Sequence, residues 1–198
     1  MPMEVLIATG NDGKRKEMLE VLNKLSEINF LSLKDFSEVI EPEETGSSFE
    51  ENALQKAKFF AEKFQIPSLG EDSGLILEAF PNKFGLKTKR EISAESDEEW
   101  LDVFLEMMKE QDNKKAIFYS ACAFFDPQTN KEHVVLGTCS GIITESPQTS
   151  LEPGIPVSSV FIPDGYNKVY SAMDKKEKNE VSHRGWSMRG MVEFLENR

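Results

Sequence analysis

The sequence predicts an α/β fold with a mixed β-sheet, and three observations carry that expectation. An apolar run over residues 3–9 passes through the turn Gly10-Asn11-Asp12-Gly13-Lys14 into apolar residues at helical spacing. Further amphipathic helices start at Phe49 and just after Ser96. Two apolar runs, 117–125 and 133–138, flank Asp126-Pro127-Gln128-Thr129-Asn130, which reads as a hairpin.

Taken in order, residues 3–9 form a short buried strand, and Met18, Leu19, Leu22 and Leu25 mark the helix after the turn. The stretch 38–48 is polar and carries four glutamates, so it reads as a loop. Phe49, Ala53, Ala57, Phe60 and Phe64 then trace one face of a second helix that ends before Pro67. Residues 68–77 are a short segment with a polar insertion, Glu71-Asp72-Ser73, between apolar neighbours. Ser96 and Glu99 have capping-box spacing, and Trp100, Leu101, Phe104, Leu105 and Met108 continue that helix. Gly141-Ile142-Ile143-Thr144 reads as one more strand, and a last helix covers about 186–195. With no repeat, long linker or low-complexity tract, the expectation is a single domain, 1–198, with two lobes around a cleft.

Charge narrows the function. The chain has 35 acidic and 23 basic residues, a net charge of −12, which argues against a general nucleic-acid binder. A small anion is still allowed, because a few local cations can outweigh distant charge in a cleft. No apolar run has the length of a membrane span and the first residues lack a charged signal start, so the expected location is cytoplasmic. Cys122 and Cys139 lack paired spacing, which speaks for buried thiols rather than a zinc site or disulfide framework.

Three groups of residues could carry chemistry. The turn 9–14 offers backbone N–H groups at a helix N-terminus with Lys14 beside them, a site for an anion, although an ordinary turn with a solvated lysine is an even match. It is no Walker A loop, since the spacer between the glycines is absent and Arg15 follows Lys14. The second group is acidic: Glu43, Glu44, Glu51 and the pair Glu71-Asp72. Carboxylates with substrate phosphates suit a hard cation, normally Mg²⁺, while helix-terminal charge or solvated loop explains Glu51, Glu43 and Glu44 singly. The third is Ser182-His183-Arg184, with Lys178 upstream, whose donors suit a phosphate or base edge; the plainer reading makes Ser182 an N-cap and Arg184 exposed.

These pieces occur together, in order, in one family. The matching stretches are 8–14, 43–53, 71–75, 161–165, 177–179 and 182–184, and they span nearly the whole chain. In them the sequence resembles the inosine triphosphate pyrophosphatases, which act on non-standard purine nucleoside triphosphates. The resemblance implies an α/β fold with two lobes around a nucleotide cleft, a homodimer, and Mg²⁺-dependent hydrolysis to the monophosphate and pyrophosphate. Residue by residue, it implies that Thr9, Gly10, Asn11, Asp12, Gly13, Lys14 and Lys56 hold the triphosphate. It places Glu43, Glu71 and Asp72 at the metal, and Asp72 with Lys14 and Glu43 at the chemistry. Ser73, Arg90, Lys178, His183 and Arg184 are then the remaining nucleotide contacts.

Two segments depart from the family pattern. Where an aromatic and an acid read the base, this chain has Gly154-Ile155-Pro156-Val157-Ser158-Ser159; where Pro-Gly-x-Tyr-Ser-Ala-Arg stands, it keeps only Gly85 and Arg90. The expected substrates are inosine, deoxyinosine and xanthosine triphosphates (ITP, dITP, XTP). The same chemistry on another nucleotide, and a nucleotide binder with little turnover, are the alternatives.

Overall fold

The computed structural model describes residues 2–37 and 39–198. Its center is a six-stranded sheet of order β2-β1-β3-β4-β5-β6. The strands are β1 (Met3–Ala8), β2 (Ile28–Ser32), β3 (Ser68–Leu77), β4 (Lys115–Asp126), β5 (Lys131–Ile143) and β6 (Phe161–Pro163). The helices are α1 (Asp12–Leu22), α2 (Phe49–Phe64), α3 (Asp97–Lys109), α4 (Lys175–Val181) and α5 (His183–Glu196). β1 is parallel to β2 and β3, and the remaining neighbours are antiparallel, so the mixed α/β expectation holds. No helix among the described residues is long and apolar enough to cross a membrane.

Several local readings need correction. The hairpin turns at 127–130 as expected, but its second arm runs unbroken to Ile143. Gly141 to Ile143 therefore prolong β5 instead of forming a separate strand; their backbone alternation simply continues across Gly137 and Gly141. The last helix starts at His183, capped by the Ser182 hydroxyl, which accepts from the Gly185 N–H at 3.0 Å. Strand β2 and helix α4 lack an apolar period long enough to declare themselves. Ser96 caps α3 by accepting from Glu99 N–H (3.1 Å), but the Glu99 carboxylate returns to the N–H of Glu95, one residue before the box partner.

The sheet carries two main cores along its length. One gathers Val5, Ile7, Met18, Leu22, Leu69, Cys122 and Phe124 under α1 and α5. The other gathers Leu75, Leu77, Phe84, Trp100, Phe104, Ala116 and Phe161 under α3. β3 passes from the first to the second, and its polar insertion, Glu71-Asp72-Ser73, falls at the junction. Each lobe is thus closed by its own apolar cluster, each buried large side chain contributing roughly 1.5–3 kcal/mol, and the polar residues floor the space between.

Strand periodicity sends neighbouring side chains of β3 to opposite faces. Leu69 and Glu71 face the α1–α5 side, while Gly70, Asp72 and Gly74 face α2. α2 lies so close there that a Cβ at Gly70 would stand 2.1 Å from the Ala53 carbonyl oxygen and 2.7 Å from the Ala57 nitrogen. Gly70→Ala must push α2 away from Asp72. Overpacking of this kind costs about 1–3 kcal/mol, which a urea melt will register as a lower midpoint at unchanged slope.

Candidate active site

A cleft of about 850 Å³ lies between the lobes. Its walls come from the start of α1, the loop 41–44, the middle of β3, the segment 86–97, the start of α3, the loop 154–158 and the start of α5. The size suits a nucleotide-scale ligand.

At the turn after β1, Asn11 caps α1 by accepting from the Lys14 N–H (3.0 Å), and its amide donates to the Gly154 carbonyl (2.9 Å). That bond stitches the turn to the loop on the opposite wall. Only Asn11 and Lys14 of the turn line the cleft. Thr9 instead accepts from the Asn11 N–H, and the Gly10 N–H donates to Glu41 Oε1 at 3.0 Å, so a carboxylate occupies that donor. A side chain at Gly13 would meet the Pro153 carbonyl at 2.6 Å. Asp12 is surface-bound, paired with Lys34 (2.5 Å) and Arg15 (3.3 Å), and so is turned away from the phosphate role expected of it.

The two adjacent carboxylates of β3 have opposite environments. Glu71 is fully buried, with Lys14 Nζ 3.0 Å from Oε2 and Arg184 Nε and Nη2 each 3.1 Å from Oε1; the Ser120 hydroxyl also donates to Oε1 (3.0 Å). Burial opposes its charge, yet Arg184 and Lys14 prevail and hold it far below the ordinary carboxylate range. Asp72, on the other face, accepts from Asn52 Nδ2 and from the Ser73 N–H, both at 3.0 Å, with Lys56 Nζ 3.7 Å away. There burial prevails over Lys56 and Lys14, and the proton affinity of Asp72 is raised. One carboxylate is held as an anion; the other takes up a proton more readily than an ordinary aspartate.

The oxygens of Glu71 are met by Lys14, Arg184 and Ser120, and its side chain does not line the cleft. Glu43 lines the cleft with an exposed side chain, and its carbonyl accepts from Gln55 (2.9 Å). The neighbouring Glu44 also lines the cleft and is ion-paired. Its Oε1 meets Lys56 Nζ at 2.7 Å, and its other oxygen pairs with Arg90. Lys56 is buried behind this pair and does not itself line the cleft; Glu44 and Asp72 outweigh its burial and raise its pKa. Among the described residues no three carboxylate, imidazole or thiol groups converge as a ready metal cage.

The α5 end is more buried than its sequence suggests. Arg184 is 3% exposed and bridges Glu71, Ser73 Oγ (2.9 Å) and Glu17. Lys178 joins Glu17 (2.7 Å) and Glu152 (2.8 Å). Glu17 is the hub that sequence reasoning missed: it looks like any polar residue on α1, and only docking of α1 on α4 and α5 gives it partners. Asn52 was also missed, although its i,i+4 spacing from Lys56 on the buried face of α2 was a usable signal. His183 stacks on Phe118 (4.6 Å, 11° between planes), and burial, then Arg184, push its pKa down to about 3.

Comparisons with known proteins give the family and the fold. A profile of the Ham1 family matches residues 5–194. The chain belongs to the Ham1 family. Among its family relatives, the dITP/XTP pyrophosphatase of Aquifex aeolicus is 35% identical over 205 residues, covering 98% of each chain. That of Bacillus cereus is 35% identical over 97% of this chain and 94% of its own. The solved HAM1 protein of Coxiella burnetii superposes with a TM-score of 0.84 at 29% identity, covering 99% of this chain and all of the other. The Ham1 protein of Staphylococcus aureus gives 0.80 at 26% identity, with 98% of each chain covered. This Ham1 member therefore shares the fold of these solved structures over nearly its whole length.

The neutral imidazole has a consequence for stability. His183 stays unprotonated in the folded state down to about pH 3, whereas an unfolded histidine takes up a proton near 6.5. Between those values the unfolded chain binds more protons, so stability falls as pH falls. The drop in melting temperature between pH 7 and pH 5 will be smaller in His183→Gln than in the wild type.

Proposed function

We propose that this chain hydrolyses non-standard purine nucleoside triphosphates, with ITP, dITP and XTP as the substrate class, to the monophosphate and pyrophosphate. The observation that carries the proposal is Asp72: a buried carboxylate of raised proton affinity, oriented by Asn52 and the Ser73 N–H, lining a cleft that Lys14 also lines. The printed names of the Aquifex and Bacillus relatives support the same substrate class.

In this reading Asp72 takes a proton from water as the water oxygen attacks the α-phosphorus. The bond to the bridging oxygen breaks, and pyrophosphate leaves with the electron pair. Developing charge on the phosphates is met by Lys14 and the N-terminus of α1. Lys56 acts through its neighbours, holding Glu44 and Asp72 in place and restraining the proton affinity of Asp72. The cleft-lining carboxylates Glu43, Glu44 and Asp72 would hold Mg²⁺, a hard cation that takes oxygen ligands from protein, phosphate and water. When bound there it supplies charge neutralisation at the phosphates.

The protein is proposed to work as a homodimer in the cytoplasm. On β5 the side chains of Leu136 and Ile142 are exposed on one face, and a second copy is the occupant that the family resemblance implies.

Four measurements test the reaction. Pyrophosphate release from ITP, dITP and XTP with Mg²⁺ is expected, and its absence for all three overturns the proposal. Asp72→Asn will lower kcat by about a hundredfold or more while leaving the melting curve near that of the wild type. Lys14→Ala will raise KM for every triphosphate alike. Lys56→Met will instead move the acid limb of the pH–kcat/KM profile to higher pH, because Asp72 loses the cation that lowers its pKa.

A further inference from the structure

The residues Glu152-Pro153-Gly154-Ile155 suit a type II turn, with Pro second and Gly third. Gly154 has φ +82°, and the Ile155 N–H closes the turn by donating to the Glu152 carbonyl at 3.1 Å. That bond uses neither backbone group of Gly154, so both need partners elsewhere. They find them on opposite sides of the cleft.

The Gly154 N–H donates to Asp97 Oδ2 (2.5 Å) at the start of α3. The Gly154 carbonyl accepts from Asn11 Nδ2 (2.9 Å) at the entry to α1. The Pro153 carbonyl also lies against α1, since a Cβ at Gly13 would stand 2.6 Å from it. Glu152 pairs with Lys178 of α4 (2.8 Å), which holds the entry to the turn. α1 packs into one apolar cluster and α3 into the other. One glycine, with one donor and one acceptor, therefore ties the two lobes, and Asn11, Asp97 and Gly154 all line the cleft.

Each partner is anchored on its own helix. Asn11 accepts from the Lys14 N–H (3.0 Å) as the cap of α1. Asp97 is the first residue of α3, directly after the capping Ser96. Position 154 has no room for a side chain: a Cβ would stand 2.6 Å from Asn11 Oδ1, and its positive φ suits glycine. Ile155 to Ser158 continue from the turn as cleft wall, so the tie sets where that wall stands relative to Lys14 and Asp72.

We propose that Asn11 and Asp97 are a pair of positioning residues: by gripping the two sides of Gly154 they fix the wall 154–158 at the separation from Lys14 and Asp72 that a bound nucleotide needs. This rests on the nucleotide reading above, and adds to it a role for Asp97 and a second role for Asn11 besides the helix cap. The two bonds act in series through one residue, so loss of either releases the wall.

Three variants test this. Asp97→Ala removes the acceptor, whereas Asp97→Asn keeps an acceptor oxygen without the charge. KM for ITP will rise about tenfold in Asp97→Ala, the worth of one hydrogen bond, with kcat within about twofold of the wild type. Asp97→Asn will stay near the wild type. Asn11→Ser retains a cap for α1 but is too short to reach Gly154. Its loss in kcat/KM and that of Asp97→Ala will not multiply; the double variant will fall within about twofold of the poorer single one. An unchanged KM in Asp97→Ala, an equal loss in Asp97→Asn, or a double loss equal to the product of the single losses overturns the inference. Hydrogen exchange adds a readout without substrate: the Gly154 amide will exchange faster in Asp97→Ala than in the wild type or Asp97→Asn. Unaltered exchange overturns the inference even where the kinetics change. If the wild type hydrolyses no nucleoside triphosphate while exchange responds as expected, the nucleotide reading falls, the positioning role falls with it, and the tie is an element of the fold alone.

Discussion

The carboxylate of Glu71 holds the molecule's two ends to its middle strand. It is fully buried on β3, and its charge is met by Lys14 from the first helix and Arg184 from the last. Taking three ions out of water is expensive, and the arrangement is viable only because each has a partner of opposite sign within about hydrogen-bond distance. Glu17 extends the chain of charge through Arg184 to Lys178 and Glu152. Removing Arg184 takes from the buried Glu71 one of its two cations, and breaking a buried pair of this kind costs on the order of 3–5 kcal/mol. The cleft exists because this network fixes α1, β3 and α5 around it.

One strand position further on, the same chemical group has a different task. The period of two in a β-strand puts Asp72 under α2, where amide donors and a more distant ammonium replace the tight cations of Glu71. Burial then raises its proton affinity instead of being overruled. Adjacent carboxylates with opposed proton affinities follow from geometry alone: the side of the sheet decides which cations come within reach. The close approach of α2 at Gly70 sets the distance on which this depends.

The cleft joins two kinds of surface. Its polar half draws on α1, the loop 41–44 and β3, and its aromatic half on α3, β4 and α5, with Trp100, Phe118 and His183 among the lining rings. Asn11 and Asp97 both grip Gly154, so the two halves share one loop as a common wall. That loop has Gly154 at φ +82°, a left-handed conformation that glycine adopts without strain.

Local patterns were enough for much of the scaffold. The strand–turn–helix at the N-terminus, the amphipathic face of α2, the Ser96 cap and the Asp126–Asn130 hairpin are written in period and turn chemistry, and the family motifs brought Lys14, Asp72 and Arg184 to notice. Those motifs could not say that Glu44 pairs with Lys56 and Arg90 while the Glu43 side chain stays exposed, because residues in a loop have no fixed period. They could not separate Glu71 from Asp72 either, since the two differ only in the face they occupy. Glu17 and Asn52 were silent for a related reason: each looks ordinary on its own helix and gains its buried polar partners more than 15 residues away in sequence. The sequence by itself determined most of the secondary elements and the residue types at the cleft. Tertiary packing decided which of those residues are charged, which are paired and which stay open to a ligand, because burial and long-range ion pairing set those properties and neither is local.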